Sequence, residues 1–248
     1  MWKIYDDLIN AIPEDLTVKE CLVGLHWTLV RSERGVGAAM TLKGGRAESE
    51  LTGIVGMPLK KLASHVKSWN MVQASVGQAA INSAFNVYDN LAAITGLDAR
   101  KLGSNDDNNA FRQFLPELKG KKVAVIGHFP HIDFLNDVCH LSILERKPQG
   151  SDYPDPACEY ILPYQDFVFI TGTAFTNKTM PRLLELSKNA KVVVVGPSVP
   201  ITPILFKYGV DAIAGMIVRD EAVFWKCAQE GGKMNIFKQG GQMVCIRS

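Results

Sequence analysis

The chain has 248 residues, 47% of them apolar and 21% charged, and its 27 basic residues exceed its 25 acidic ones by two. That length accommodates two modest hydrophobic cores, and a net charge of +2 gives no electrostatic reason to expect nucleic acid or an anionic membrane as partner. The five cysteines (Cys21, Cys139, Cys158, Cys227 and Cys245) are odd in number and contain no C-x-x-C pair, which argues against a disulfide framework or zinc ribbon and for reduced, buried thiols.

The opening residues Met1-Trp2-Lys3-Ile4-Tyr5-Asp6-Asp7 carry acids where a signal peptide would be basic and then apolar. No apolar run approaches the roughly 20 residues of a membrane helix. The expectation is a cytoplasmic protein. Ile4, Leu8 and Ile9 predict a short amphipathic helix over 2–11, stopped before Pro13. From Val18 to Val30 the pattern is that of a strand, with Val23, Leu25, Trp27 and Leu29 on alternate positions. Arg31-Ser32-Glu33-Arg34-Gly35 reads as a hairpin turn and Val36–Leu42 as the returning strand. His26 and Trp27 read as packing residues of this meander, the alternative being that Thr28 and His26 face a cleft between the domains.

Helices are expected over 59–68 and 71–86. The second is rich in small residues, with Ala79, Ala80 and Ser83 on one face, which predicts close packing against a neighbour. The Gly-, Ser-, Asn- and Asp-rich stretch 96–109 reads as a connection, dividing the chain into domains over 1–109 and 110–248. A short helix over 111–118 follows.

Beyond it the pattern changes. Continuous apolar runs at 122–127, 141–144, 167–170, 192–195, 212–217 and 243–246 alternate with helix-like segments at 134–139, 180–189, 204–208 and 220–230. Continuous runs belong to parallel strands covered on both faces, and the alternation predicts a Rossmann-like, doubly wound α/β domain. Ligands of such sheets bind beyond the carboxyl ends of the strands, so the loops at 127–131, 145–148, 171–179 and 196–202 are the candidates, with Gly215 added.

The first of these loops has Gly127 followed by His128, Phe129 and Pro130. A dinucleotide fingerprint needs three glycines there so that backbone can approach a pyrophosphate, which argues against NAD- or FAD-dependent chemistry. Glu145, 18 residues on, stands where an acid accepts ribose hydroxyls, or simply pairs with Arg146 or Lys147. In the third loop, spare hydroxyls would hold a polar or anionic group. Alternatively, Asn177 or Thr179 caps the following helix, as Thr202 does before Pro203. His128, His131 and Asp133 form an H-x-x-H-x-D cluster, which without a framing helix reads as loop polarity rather than a metal site. Following strand one directly, His128 suits proton transfer.

These residues also carry a resemblance. Val125-Ile126-Gly127-His128-Phe129-Pro130, Leu144-Glu145-Arg146-Lys147-Pro148, Thr171-Gly172-Thr173 with Asn177-Lys178-Thr179, Gly196-Pro197-Ser198, and Ala214-Gly215 resemble the family known as "putative heavy-metal chelation", first catalogued as a domain of unknown function. Gly24-Leu25-His26-Trp27-Thr28 and Gly77-Gln78-Ala79-Ala80-Ile81-Asn82-Ser83 resemble its companion domain. The resemblance implies a first domain similar to the enolase N-terminal domain, an α+β meander followed by helices, then a Rossmann-like domain, with a composite site in the cleft between them. His128, Glu145 and Asn82 would be catalytic. Thr28, Gly127, Phe129, Gly172, Thr173, Asn177, Thr179, Pro197, Ser198 and Gly215 would bind ligand.

The implied role is condensation or hydrolysis of a small polar heterocycle, pterin-, flavin- or siderophore-like, in the metabolism of a metal chelator. No cofactor is identified and no protein metal ligand is assigned. A non-catalytic carrier of a metal–chelate complex and a nucleotide-cofactor enzyme of methyltransferase type are the alternatives. A homodimer is the default oligomeric state.

Overall fold

The computed structural model describes residues 2–47, 50–96, 105 and 109–248. Helix α1, Lys3–Asn10, buries the predicted Ile4, Leu8 and Ile9. Strands β1 (Val18–Val23), β2 (Trp27–Ser32) and β3 (Val36–Met40) form an antiparallel sheet in the order β1-β2-β3. The single strand expected over 18–30 is therefore two. The period-2 alternation runs through the turn and conceals it. The Gly24 amide closes the turn by donating to Trp27 O at 3.0 Å, and a Cβ at Gly24 would stand 2.8 Å from Trp27 O and 3.0 Å from Ala228 O.

Helices α2 (Leu59–Ala63), α3 (Met71–Phe85) and α4 (Tyr88–Thr95) follow. Asn70 caps α3 through its side chain, accepting from the Val72 and Gln73 amides. The small residues of α3 permit backbone-to-backbone packing. A Cβ on Gly37 of β3 would lie 2.1 Å from Ser83 N, and one on Gly77 would lie 2.0 Å from Val66 N. Most of the expected connection over 96–109 lies outside the described residues. Its Asn105 accepts from Met243 N at 2.7 Å and donates to Gly241 O at 3.2 Å.

Helix α5 (Ala110–Leu118) leads into seven strands: β4 (Lys122–Ile126), β5 (His140–Glu145), β6 (Tyr153–Pro154), β7 (Phe167–Thr171), β8 (Lys191–Val195), β9 (Ala212–Val218) and β10 (Gly241–Arg247). Their order is β10-β9-β8-β7-β4-β5-β6, parallel except for β10 against β9. In chain order the six parallel strands run 3-2-1-4-5-6, the Rossmann arrangement, and the order reverses between β4 and β7. Alternate residues of each strand feed two cores. Ala124, Ile126, Val168 and Val194 join the core that continues into α1, α2 and α3, whereas Val123, Val125, Phe169 and Val193 pack with Phe111 and Phe114 of α5.

Helices α6 (Cys158–Ile161), α7 (Thr173–Thr176), α8 (Met180–Leu186) and α9 (Glu221–Gln229) complete the regular elements named here. The helices expected at 134–139 and 204–208 are 3-10 turns, Asp133–Asp137 and Pro203–Tyr208. The second begins with the expected Thr202 cap on Ile204 N. Helix α9 closes the other face of the small sheet: Trp27, Leu29, Val36 and Ala38 pack with Phe224, Cys227 and Ala228. This explains why β2 is buried on both faces although it belongs to an antiparallel meander.

Candidate functional site

The predicted site residues fall into two groups. The first lines the seam between the two sheets and is closed. Asn82 has no exposed surface. Its Nδ2 donates to Ala38 O at 2.8 Å and Pro197 O at 3.4 Å, and its Oδ1 accepts from Gln78 Nε2 at 3.1 Å. Gln78 Nε2 also donates to Ser198 O at 3.0 Å, and Ser198 Oγ accepts from Met40 N at 2.9 Å. Gly172 belongs here because a Cβ on it would meet Val199 N at 2.7 Å, and Gly215 because a Cβ would meet Ile201 Cγ1 at 2.5 Å. Thr28, fully buried, shares a hydrogen bond with Thr41 at 2.9 Å. The expected open cleft at Asn82 is thus a packed interface, where buried amides must satisfy the backbone groups they cover. Asn82, expected to be catalytic, and Thr28, expected to bind ligand, have no exposed surface and anchor the seam.

Sequence reasoning passed over the strongest member of this seam. Asn86 Nδ2 donates to Val199 O at 2.9 Å and Met216 O at 3.1 Å, while its Oδ1 accepts from Ile201 N at 2.8 Å. It stands at the C-terminal end of the small-residue helix α3, where nothing in the local sequence marks its distant partners.

The second group sits at the switch point and is open. Gly127, at φ 101°, follows β4, and a Cβ there would come within 3.1 Å of Thr171 at the end of β7. Phe129 leans on Phe111, with ring centroids 5.2 Å apart. Thr171 and Thr173 hydroxyls share a hydrogen bond of 3.1 Å. The expected 171–179 loop contains the one-turn α7. Asn177 Oδ1 accepts from both the amide and hydroxyl of Thr179, so Asn177 braces this loop and Thr179 makes no side-chain cap.

Glu145, at the end of β5, accepts from the His128 amide at 3.0 Å and the Lys147 amide at 3.1 Å. It braces one loop against the next. The ring of His128 meets a partner that the spacing of motifs did not reveal. Its Nδ1 lies 2.9 Å from Asp152 Oδ2, and the Asp152 side chain is only 3% exposed. Asp152 also accepts from the Gln149 amide at 3.0 Å. A buried carboxylate on Nδ1 fixes ring orientation and leaves Nε2 as the outward nitrogen.

His128 and Asp152 open on a cavity of about 270 Å³. Leu141 and Ile143, on the partly uncovered face of β5, and Tyr153 on β6 supply apolar surface; Asp133, Asn136 and Gln149 supply polar groups. His131, with left-handed φ of 59°, is not in its lining, so of the H-x-x-H-x-D residues only His128 and Asp133 meet there. Among the described residues, no three His, Cys, Asp or Glu side chains form a group able to hold a metal ion. The thiols are poor nucleophiles: burial pushes Cys21 and Cys245 up to about 11 and Cys158 up to about 12. No described helix is long and apolar enough to cross a membrane.

A Rossmann-like domain with a small antiparallel sheet and its helices locked onto the loops beyond β8 defines the class. The chain belongs to the DUF364 family, whose model, described as "Putative heavy-metal chelation", matches residues 109–247. A second model, DUF4213, with the same description, matches 5–85. An uncharacterized protein of Methanocaldococcus jannaschii is 30% identical over 230 residues, 86% of this chain and 83% of that one. A crystal structure of a family member of unknown function from Desulfitobacterium hafniense is 41% identical with a TM-score of 0.91, covering 100% of this chain and 99% of that one. Another, from Pyrococcus horikoshii, shares the fold at 22% identity and a TM-score of 0.77, covering 99% and 98%.

Proposed function

We propose that the chain is an enzyme acting on a small polar heterocyclic molecule at the carboxyl edge of β4 and β5, within the chelator metabolism that the family's description suggests. His128 is the proton-transfer group, Asp152 its positioning partner, and the reaction a condensation or hydrolysis. The observation that carries this reading is the His128–Asp152 pair, 2.9 Å apart, at the mouth of an open cavity. A carboxylate on Nδ1 stabilises the imidazolium that forms when Nε2 takes a proton, the arrangement general acid–base chemistry requires. Glu145 supports the reading by fixing the backbone from which His128 projects. The domain seam supplies rigidity to the neighbouring loops.

The test is to identify by mass spectrometry the molecule retained by the full chain from a metabolite extract, then to follow its conversion by wild type, His128→Ala and Asp152→Asn. The proposal expects retention by all three and conversion slowed at least about 100-fold in His128→Ala. Equal conversion by wild type and His128→Ala would remove the catalytic assignment. Retention with no conversion by the wild type would favour a carrier.

A further inference from the structure

The cavity beside His128 has a charge character that selects its ligand. Among the described residues its lining contains the carboxylates of Asp133 and Asp152 and the imidazole of His128, and neither a lysine nor an arginine. The nearest cations in sequence are Arg146 and Lys147, which stand outside the lining, and Arg146 faces Asp155 at 3.8 Å. Asp152 is committed to His128 and Gln149. Asp133 is exposed and engages no partner among the described residues, so its two oxygens remain available to a ligand. Leu141 and Ile143 form an aliphatic floor, and Tyr153, 47% exposed, adds a half-open aromatic ring.

An anionic group entering this space would meet the Asp133 carboxylate with no lysine or arginine in the lining to offset it. A flat group with adjacent N–H donors would instead find apolar surface for its faces and a bidentate acceptor for its edge. The geometry points to a ligand that is planar, neutral or cationic, and presents an N–C–N donor edge of amidine or aminopyrimidine type to Asp133. This rests on the reading above that the cavity is the ligand site. It sets phosphorylated nucleotides and carboxylate- or catecholate-rich chelators outside the compounds this cavity takes directly.

Benzamidine and benzoate are nearly isosteric and opposite in charge, so they separate the two expectations. The full chain, labelled at histidine and tyrosine ring carbons, is titrated with each while the His128 and Tyr153 resonances are followed. Benzamidine is expected to shift both with saturation, benzoate to bind at least about ten-fold more weakly, and Asp133→Asn to weaken benzamidine by at least about ten-fold without strengthening the wild-type response to benzoate. Benzoate binding as well as or better than benzamidine, or an Asp133→Asn variant with unchanged benzamidine affinity, overturns the donor-edge assignment and leaves the cavity as the site. If neither probe moves either ring, the cavity is not a ligand site, and the functional reading falls together with this one.

Discussion

Nδ1 of His128 and Oδ2 of Asp152 lie 2.9 Å apart across 24 residues of sequence, the histidine on the loop after β4 and the aspartate just before β6. The carboxylate is almost wholly covered while the ring is 40% exposed, so the aspartate is held by the fold and the histidine by the aspartate. Neutral His128 should therefore carry its proton on Nδ1. Ring nitrogen shifts measured by NMR should show that tautomer in the wild type and a mixture in Asp152→Asn, whose amide can also donate. Asp152→Ala removes the acceptor for the Gln149 amide as well, and should cost about 1 kcal/mol in urea denaturation.

Asn86 holds three backbone groups of the second domain from the end of α3, and it is buried. Asn86→Ala leaves two carbonyls and one amide without their partner, an unfavourable outcome for each. A loss of about 3 kcal/mol or more is expected in equilibrium denaturation. Asn86→Asp should be comparably damaging because its second oxygen would face the Val199 and Met216 carbonyls. Full stability in Asn86→Ala would show that the Asn86 hydrogen bonds contribute no net stability to the seam.

Much of the second domain was legible because β4, β7, β8 and β9 are buried on both faces and carry unbroken apolar runs. The first hairpin was not. Val23, Leu25, Trp27 and Leu29 keep strand alternation across a turn where Val23 and Leu25 are in fact exposed, and only Gly24 hinted at the break. The two-residue β6 lacked any periodicity to read. In the site, loop ends after strands could be listed from position alone, so His128 and Glu145 were found. Asp152 could not, because nothing local distinguishes it from its neighbours Ser151 and Tyr153. Its importance arises from a turn that folds back on β4.

The contact of α3 with the small sheet makes Gly37 irreplaceable by a larger residue. A Cβ there would lie 2.1 Å from Ser83 N and 2.2 Å from Ala79 O, both backbone atoms that cannot rotate away. Gly37→Ala should force the helix off the strand and cost about 3 kcal/mol or more. Gly53→Ala is the control: a Cβ at Gly53 meets nothing within 4 Å, and only its φ of 64° is penalised, giving a loss of about 1 kcal/mol. Similar melting temperatures for the two variants would show that α3 is not seated as closely as described.

Glu33, in the turn between β2 and β3, ties that hairpin to the segment before β1, and its stability contribution should depend on pH. Burial alone would raise its pKa. Hydrogen bonds from the Lys19 ammonium and from the side chain and amide of Thr17 outweigh that and bring it down to about 2. The carboxylate lies 2.7 Å from Lys19 Nζ and 2.8 Å from Thr17 N. A carboxyl depressed on folding stabilises the folded state above its unfolded pKa, near 4.5, and the contribution disappears as pH falls through the folded value. The side chain is about one-third exposed, so solvent screening limits the effect to about 1 kcal/mol. Glu33→Gln should therefore unfold at lower urea than the wild type at pH 7, with the gap narrowing between pH 4.5 and about 2. A gap that stays constant over that interval would mean that the loss comes from altered packing of the hairpin rather than from the charge.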